Sequence, residues 1–379
     1  MHRKVWYGVL ILICATLVTV MFLHKTKIYD DHSEKQNEPL LQEENTWENE
    51  KEIVEGINDH LKFDAKVIIP EKYSSGIFKE TYGTYQEYDY DGFFRYFSDI
   101  ESVVEETQYD LPDRTNKKTT GRCLDTQNGE SICLYPIKLI YTRNQLNEQY
   151  FYVFDDNYNN ASMYNADHFL LESEIQSVPV ENVINECENL LKSAGLSCGE
   201  YELLTYALDL PTMKQQYERI YDWGFDDGTV DIYDWKESDE AYVIRLWQTV
   251  QDLPIMTASV NYYDVIDNSD ATVTAIYRKD GFAEVSIGDI FSMEYGEEKR
   301  IITSSDVKDK IIQKYSEVLS EDKITVIEIR LCALASKAGD GKCNILPVWI
   351  CNYQVESDEN NAFSQMLINA FTGEEIYAN

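Results

Sequence analysis

Basic side chains and histidine are scarce in this chain. Lys and Arg together number 33 against 68 Asp and Glu, a net charge of −35. That balance argues against nucleic acid or anionic lipid head groups as partners, because both would be repelled. Histidine occurs five times, at positions 2, 24, 32, 60 and 168. Only His60 and His168 fall in sequence expected to fold, too few for a histidine-rich metal centre. No G-x-S-x-G, H-E-x-x-H or P-loop is present, and no cysteine stands in a nucleophile context. The carboxylates offer countless pairs for glycoside cleavage, and only geometry would single one out. The chain therefore reads as non-enzymatic, with no cofactor. C-x-x-C is also missing, so neither a redox motif nor a zinc knuckle is indicated.

Charge is missing altogether from Val5 to Leu23, nineteen residues preceded by His2, Arg3 and Lys4. As a helix this run is about 28 Å long, enough to cross a hydrocarbon core. A cleaved signal peptide is the rival reading, but no small-x-small site separates the run from His24, Lys25 and Lys27. Cys14 follows Ile13 rather than the small residue a lipoprotein site needs. An uncleaved anchor is expected, with the N-terminus cytoplasmic and the rest of the chain outside the cell membrane. Basic residues flank the run on both sides, so orientation rests on the cysteines.

Seven cysteines lie beyond the run, at 123, 133, 187, 198, 332, 343 and 351. Close pairs of this kind suit an oxidising compartment. Cys123 and Cys133 are symmetric about Asn128 in the turn sequence Asp125-Thr-Gln-Asn-Gly-Glu130, so they are expected to face each other across a hairpin and bond. Cys187 and Cys198 are the second expected disulfide, tying a helix to the strand after it. Cys332, Cys343 and Cys351 cannot all pair with one another.

The acidic excess is read chiefly as solubility. Calcium candidates are incomplete. Asp155, Asn157 and Asn159 have loop spacing, but Asn160 replaces the turn glycine and Ala166 the closing acid. Asp226, Asp227 and Asp231 around Gly228, and Asp89 and Asp91 before Gly92, read as polar turns.

Residues 24–45 are a polar linker. Beyond it, a helix is expected around Glu50 to Leu61 and strands at Ala65 to Pro70, Ile132 to Thr142 and Gln149 to Asp155. Tyr82, Tyr85, Tyr88, Tyr90, Phe93, Phe94, Tyr96 and Phe97 form a dense aromatic stretch. It reads as a core edge, with a sugar-stacking surface as the alternative.

The second half carries a regularity. Val183, Ile184, Cys187, Leu190 and Leu191 trace one helix face, and Ile311, Ile312, Tyr315, Val318 and Leu319 repeat the spacing. Each helix leads into a strand, Tyr201 to Asp209 and Ile324 to Ala335, and Ser304 or Ser305 is expected to cap the second helix. A further helix is expected at Thr212 to Tyr221. Strands follow at Ala241 to Thr249, at Thr272 to Arg278 hairpinned with Phe282 to Ile287, and later at Ile345 to Val355, Gln365 to Asn369 and Glu375 to Tyr377.

The C-terminal segments Leu346-Pro347-Val348-Trp349 and Leu367-Ile368-Asn369-Ala370-Phe371-Thr372-Gly373-Glu374 resemble the end of PepSY-like extracytoplasmic domains. The match is nearest to the membrane-anchored YycH and YycI class of Gram-positive regulators, over roughly 240–379 and, more faintly, the repeat from 178. The resemblance implies one N-terminal anchor, repeated helix-on-sheet units, and action through contact with a sensor kinase. Its motif residues are structural: Trp349 fills the core beneath a helix, Gly373 permits a turn, and Pro347 and Asn369 complete the strand and turn.

The expectation is an α+β protein with a transmembrane helix followed by antiparallel sheets, each packed by helices. Its parts are a cytoplasmic tip (1–4), the anchor (5–23), the linker (24–45), an aromatic-rich β-dominated domain (46–174) and a PepSY-like α+β domain (175–379). Functionally it reads as an envelope regulator or scaffold whose partner is another membrane protein, of sensor kinase or transporter class. Polysaccharide binding through aromatic surfaces, with divalent cations held by the acids, is the alternative.

Overall fold

The computed structural model describes residues 47–115, 117–143, 146–156, 164–171, 173–175, 178–222, 233–257, 271–316, 322–339, 342–356 and 361–376. Residues 47–379 form one compact unit. The chain opens with β1 (Glu52–Gly56), β2 (Leu61–Ile68) and β3 (Ile77–Tyr85), then α1 (Tyr90–Phe97). Next come β4 (Val103–Pro112), β5 (Lys118–Thr126), β6 (Glu130–Tyr135), β7 (Lys138–Arg143), α2 (Leu146–Val153) and β8 (Leu170–Leu171). Then follow α3 (Val180–Ser193), β9 (Tyr201–Leu208), α4 (Leu210–Asp222), β10 (Ala241–Val250), β11 (Leu253–Thr257), β12 (Val273–Arg278), β13 (Gly281–Ile287) and β14 (Phe291–Arg300). The C-terminal part holds α5 (Ser304–Ser316), β15 (Lys323–Gly339), β16 (Lys342–Glu356), β17 (Asn361–Asn369) and β18 (Glu375–Ile376).

Two pairing networks emerge. The first is antiparallel throughout, in the order β4-β5-β6-β7-β13-β12-β10-β9-β8. Alternation along β10 explains why it is covered on both faces. Tyr242, Ile244 and Leu246 join a core with Phe93 and Phe94 of α1 and Val183, Cys187 and Leu190 of α3. Ala241 and Val243 join the opposite core, with Tyr150 and Val153 of α2 and Met213 and Tyr217 of α4.

The second network is built on the long β15–β16 ribbon. Strand β2 runs parallel to the first half of β15, and β11 runs parallel to its second half. On the β16 side, β17 and β3 pair antiparallel with different stretches of the strand. β1 extends β2, β14 extends β3 and β18 extends β17. Helix α5 closes a core that contains Val307, Ile311, Ile329, Leu331 and Trp349. Thr303 caps α5 in a capping box: the Asp306 N–H donates to Thr303 Oγ1 at 3.2 Å, and the Thr303 N–H donates to Asp306 Oδ2 at 2.8 Å. The expected cap, Ser304 or Ser305, is thus displaced by one position or two. Ser304 is itself fully buried, and its N–H donates to Asn49 Oδ1.

Where the networks meet, three glutamine amides act as surrogate strand residues. Gln248 accepts from the Phe291 N–H at 2.9 Å and donates to the Phe291 carbonyl at 2.8 Å. Gln251 does the same for Lys79, and Gln86 for Ser197. Gln251 and Asp252 both sit at positive φ, 49° and 68°, as a two-residue type I′ turn between β10 and β11 requires. That turn carries the chain from the antiparallel network into the mixed one.

The expected α+β architecture is therefore corrected. The described residues hold eighteen strands against five α-helices, the strands join in one large mixed system, and two of its central pairings are parallel. Among the described residues no helix is long and apolar enough to cross a membrane, and the expected anchor at 5–23 lies outside them. The helix-then-strand order does occur twice, as α3–β9 and α5–β15. Yet β9 lies between two antiparallel neighbours, whereas β15 is flanked by parallel strands over both halves. The position expected to separate two domains, 174/175, is bridged by β7 pairing with β13 and by β3 pairing with β14 and β16.

Three local expectations also change. The segment Glu50 to Leu61 is a hairpin strand and turn rather than a helix, because Ile53, Leu61, Phe63 and Ala65 alternate into the core. Gln149 to Val153 is the end of α2, which buries Tyr150 and Val153, and Phe154 and Asp155 follow it. Ile132 to Thr142 is two strands, broken at Pro136-Ile137.

Candidate functional site

The antiparallel network ends at β4, a ten-residue strand that pairs only with β5 among the described residues. None of its side chains is buried, and Val104 and Tyr109 are 66% and 43% exposed. Glu105, Glu106 and Asp110 give it an acidic surface. Asp110 meets Lys118 at 2.6 Å in an exposed pair, and Glu106 accepts from the Gln108 amide at 3.1 Å.

The arm formed by β4 and β5 is fixed at its tip and near its middle. At its tip, Arg114 Nε donates to Asp289 Oδ1 at 2.7 Å, and the guanidinium lies over the rings of Tyr85 and Tyr88 at 5.0 and 4.7 Å. Burial pushes the Asp289 carboxyl above its ordinary range, and Arg114 opposes that rise. Near its middle, where Cys123 pairs with Thr107, Cys123 and Cys133 are directly opposite in the β5–β6 register and form a disulfide.

Beside the base of the arm, a cleft of about 930 Å³ lies between α1, α3 and the strand ends. Two of its carboxylates are held by tyrosines, and the third, Asp280, by Arg143 and Arg278. Tyr141 Oη donates to Glu130 at 3.1 Å, and Tyr96 Oη donates to Glu186. Burial, then the adjacent carboxylates, raise both phenol pKa values. These tyrosines stay protonated and act as donors, not nucleophiles. Phe97 is stacked on Tyr141 with centroids 3.8 Å apart, so those faces are already used.

The aromatic stretch divides accordingly. Tyr88, Phe93 and Phe94 are buried, Tyr85, Tyr90, Tyr96 and Phe97 are half-buried, and only Tyr82 is exposed. Cys187 and Cys198 are buried free thiols rather than a disulfide, and burial pushes each up to about 12. Cys332, Cys343 and Cys351 are likewise buried and free.

The structural motif residues converge at the mixed network. Trp349 is fully buried, and its Nε1–H donates to the Ile302 carbonyl at 3.1 Å. Pro347 pairs with Ala333, and its carbonyl accepts from the Ala370 N–H at 2.9 Å. Asn369 Oδ1 accepts from the Phe371 and Thr372 N–H groups, and Gly373 turns at φ +70° against Lys310 of α5. Of the calcium candidates, Asn157, Asn159, Asn160, Asp226, Asp227, Gly228 and Asp231 lie outside the described residues. Asp89 caps α1 by accepting from the Gly92 N–H, and Asp91 stands near Arg95 and Arg122 at 3.9 Å. Among the described residues no group of three or more His, Cys, Asp and Glu is placed to hold a metal ion.

Sequence reasoning passed over β4. Val103, Val104, Thr107 and Tyr109 are strand formers, and Asp113-Arg114-Thr115 makes a turn in which Asp113 accepts from the Thr115 and Lys117 N–H groups. The missing signal was alternation, because the strand is exposed on both faces.

No family model matches the chain, and no curated protein matches it. Among solved structures, an uncharacterised protein from Eubacterium rectale is similar at 15% identity and a TM-score of 0.59, over 86% of this chain and 93% of that one. At that identity the likeness shows the fold alone. The C-terminal domain of Bacillus megaterium YpeB matches at 10% identity over 76% of this chain and 93% of that one, with a TM-score of 0.26. That overlap is too low to carry an argument.

Proposed function

We propose that this chain is a non-enzymatic protein of the cell envelope that regulates or scaffolds another membrane protein through protein–protein contacts. The observation that carries this reading is β4, whose ten residues present one unpaired side at the limit of the described sheet. An open strand edge is a ready template for another chain. The uncharged run at 5–23 supports a tether to the membrane with the folded unit outside, and the disulfide fits an oxidising compartment. The resemblance of the C-terminal segments to PepSY-like YycH and YycI regulators supports a sensor kinase or transporter as the partner class.

Polysaccharide binding is the less supported reading. Stacking on sugars needs free ring faces, and most rings of the aromatic stretch pack against one another or into the core. In-cell crosslinking of the full-length protein, followed by mass spectrometry, tests the choice. A reproducible membrane-protein adduct is expected; recovery of wall polymer with no enriched protein would overturn the regulatory reading.

A further inference from the structure

The orientation of the β4 main chain follows from the disulfide next to it. Residues opposite one another in antiparallel strands alternate between wide pairs that exchange hydrogen bonds and close pairs that do not. The Cα atoms of Cys123 and Cys133 are 4.0 Å apart, so they form a close pair. The main-chain groups of Cys123 therefore point the other way, towards β4, where Thr107 is its partner. From Thr107 the alternation turns Tyr109 towards β5 as well. It leaves the N–H and C=O groups of Glu106, Gln108 and Asp110 directed outward.

Charge decides what can pair there. Glu105 and Glu106 have no ion-pair partner among the described residues, and the only cation on Asp110 is the exposed Lys118. Such acids are a common guard against edge-to-edge association. A second copy would bring the same Glu and Asp residues opposite these and carries the same charge of −35. The guard reverses for a strand of opposite sign, since opposite charges facing each other across a strand pair are favourable. The arm is also preorganised, held at its tip by the Arg114–Asp289 pair and near its middle by the disulfide, so little ordering cost remains for the receiving side.

We infer that the β4 edge binds an extended, lysine- or arginine-rich segment of a protein partner, which adds as a strand through Glu106, Gln108 and Asp110. The inference rests on the protein-contact reading above and names the chemistry of the partner.

The test uses the full-length chain and a ten-residue fluorescent peptide that alternates lysine with threonine or valine. A twin of identical sequence, N-methylated at alternate residues, keeps the charge and loses strand donors. The expected result is roughly tenfold tighter binding of the unmethylated peptide. A similar loss is expected with a Glu106→Lys, Asp110→Lys double substitution, and slowed amide exchange at Glu106, Gln108 and Asp110 on binding. Gln108→Pro removes one outward donor and weakens binding as well; the charge reversal leaves the main chain intact should that proline disturb the arm. Equal binding of the two peptides, or protection placed elsewhere, overturns the inference. If a crosslinked partner is meanwhile recovered through another surface, only the β4 assignment falls and the regulatory reading stands.

Discussion

The central ribbon of the mixed network and the edge strand β4 of the antiparallel network treat their side chains in opposite ways. In the mixed network the central ribbon has neighbours along both sides, and Ile329, Leu331, Val348 and Trp349 are all fully buried. In the antiparallel network β4 is the last described strand, and none of its side chains is buried. Burial is thus concentrated where strands from distant parts of the chain converge, while strands with one described partner, β4 of the antiparallel network and β14 of the mixed one, carry exposed acidic side chains. Stability rests on the first region, and the proposed partner contact would use the second.

That contrast can be broken by substitutions that separate stability from binding. Trp349→Ala has the largest expected effect, a loss of about 3–5 kcal/mol in denaturant unfolding, because it empties a fully buried site and orphans the Ile302 carbonyl. At concentrations where the variant stays folded, its binding of the lysine peptide is expected to be unchanged. Replacing Cys123 and Cys133 with serine comes next, at about 2–3 kcal/mol. Unlike Trp349→Ala, it also weakens peptide binding, because the register that aims β4 outward is loosened. Gln248→Ala costs about 2 kcal/mol by leaving the buried Phe291 N–H without its acceptor, measurable as a lower unfolding midpoint. Gly373→Ala costs about 1–2 kcal/mol, since φ +70° disfavours a Cβ that would also press on Lys310.

The smallest effect concerns pH. Burial raises the Glu284 carboxyl pKa in the folded chain, partly opposed by Arg245 and Lys138. The folded state therefore holds this proton more tightly than the unfolded state. Its stabilising contribution is present below the unfolded value of about 4.3 and is lost as pH rises through the folded value. Glu284→Gln is accordingly expected to raise the unfolding midpoint at neutral pH and to leave it unaltered near pH 3. Equal shifts at both pH values would contradict burial of the charged carboxylate as the cause.

Local signals in the sequence anticipate much of this structure. The face Val183, Cys187, Leu190 and Leu191 is α3, the turn before Gly281 joins β12 to β13, and the symmetric cysteines are a hairpin pair. What escaped was non-local. Residues 61–68 pair in parallel with 324–330, a contact that no periodicity encodes. Short segments were misread when tertiary burial overrode local preference, as at α2, where aromatic and β-branched residues suggested a strand. The candidate edge was illegible for a related reason: a strand with both faces in solvent has no alternation to find.

Site-specific photo-crosslinking in the native membrane tests the central claim most directly. A photoreactive residue replaces Gln108 on β4 in one variant and Asp309, an exposed residue of α5, in another. The account expects a discrete protein adduct from position 108 and none from 309. An adduct at 309 alone, or equal adducts at both, would contradict it.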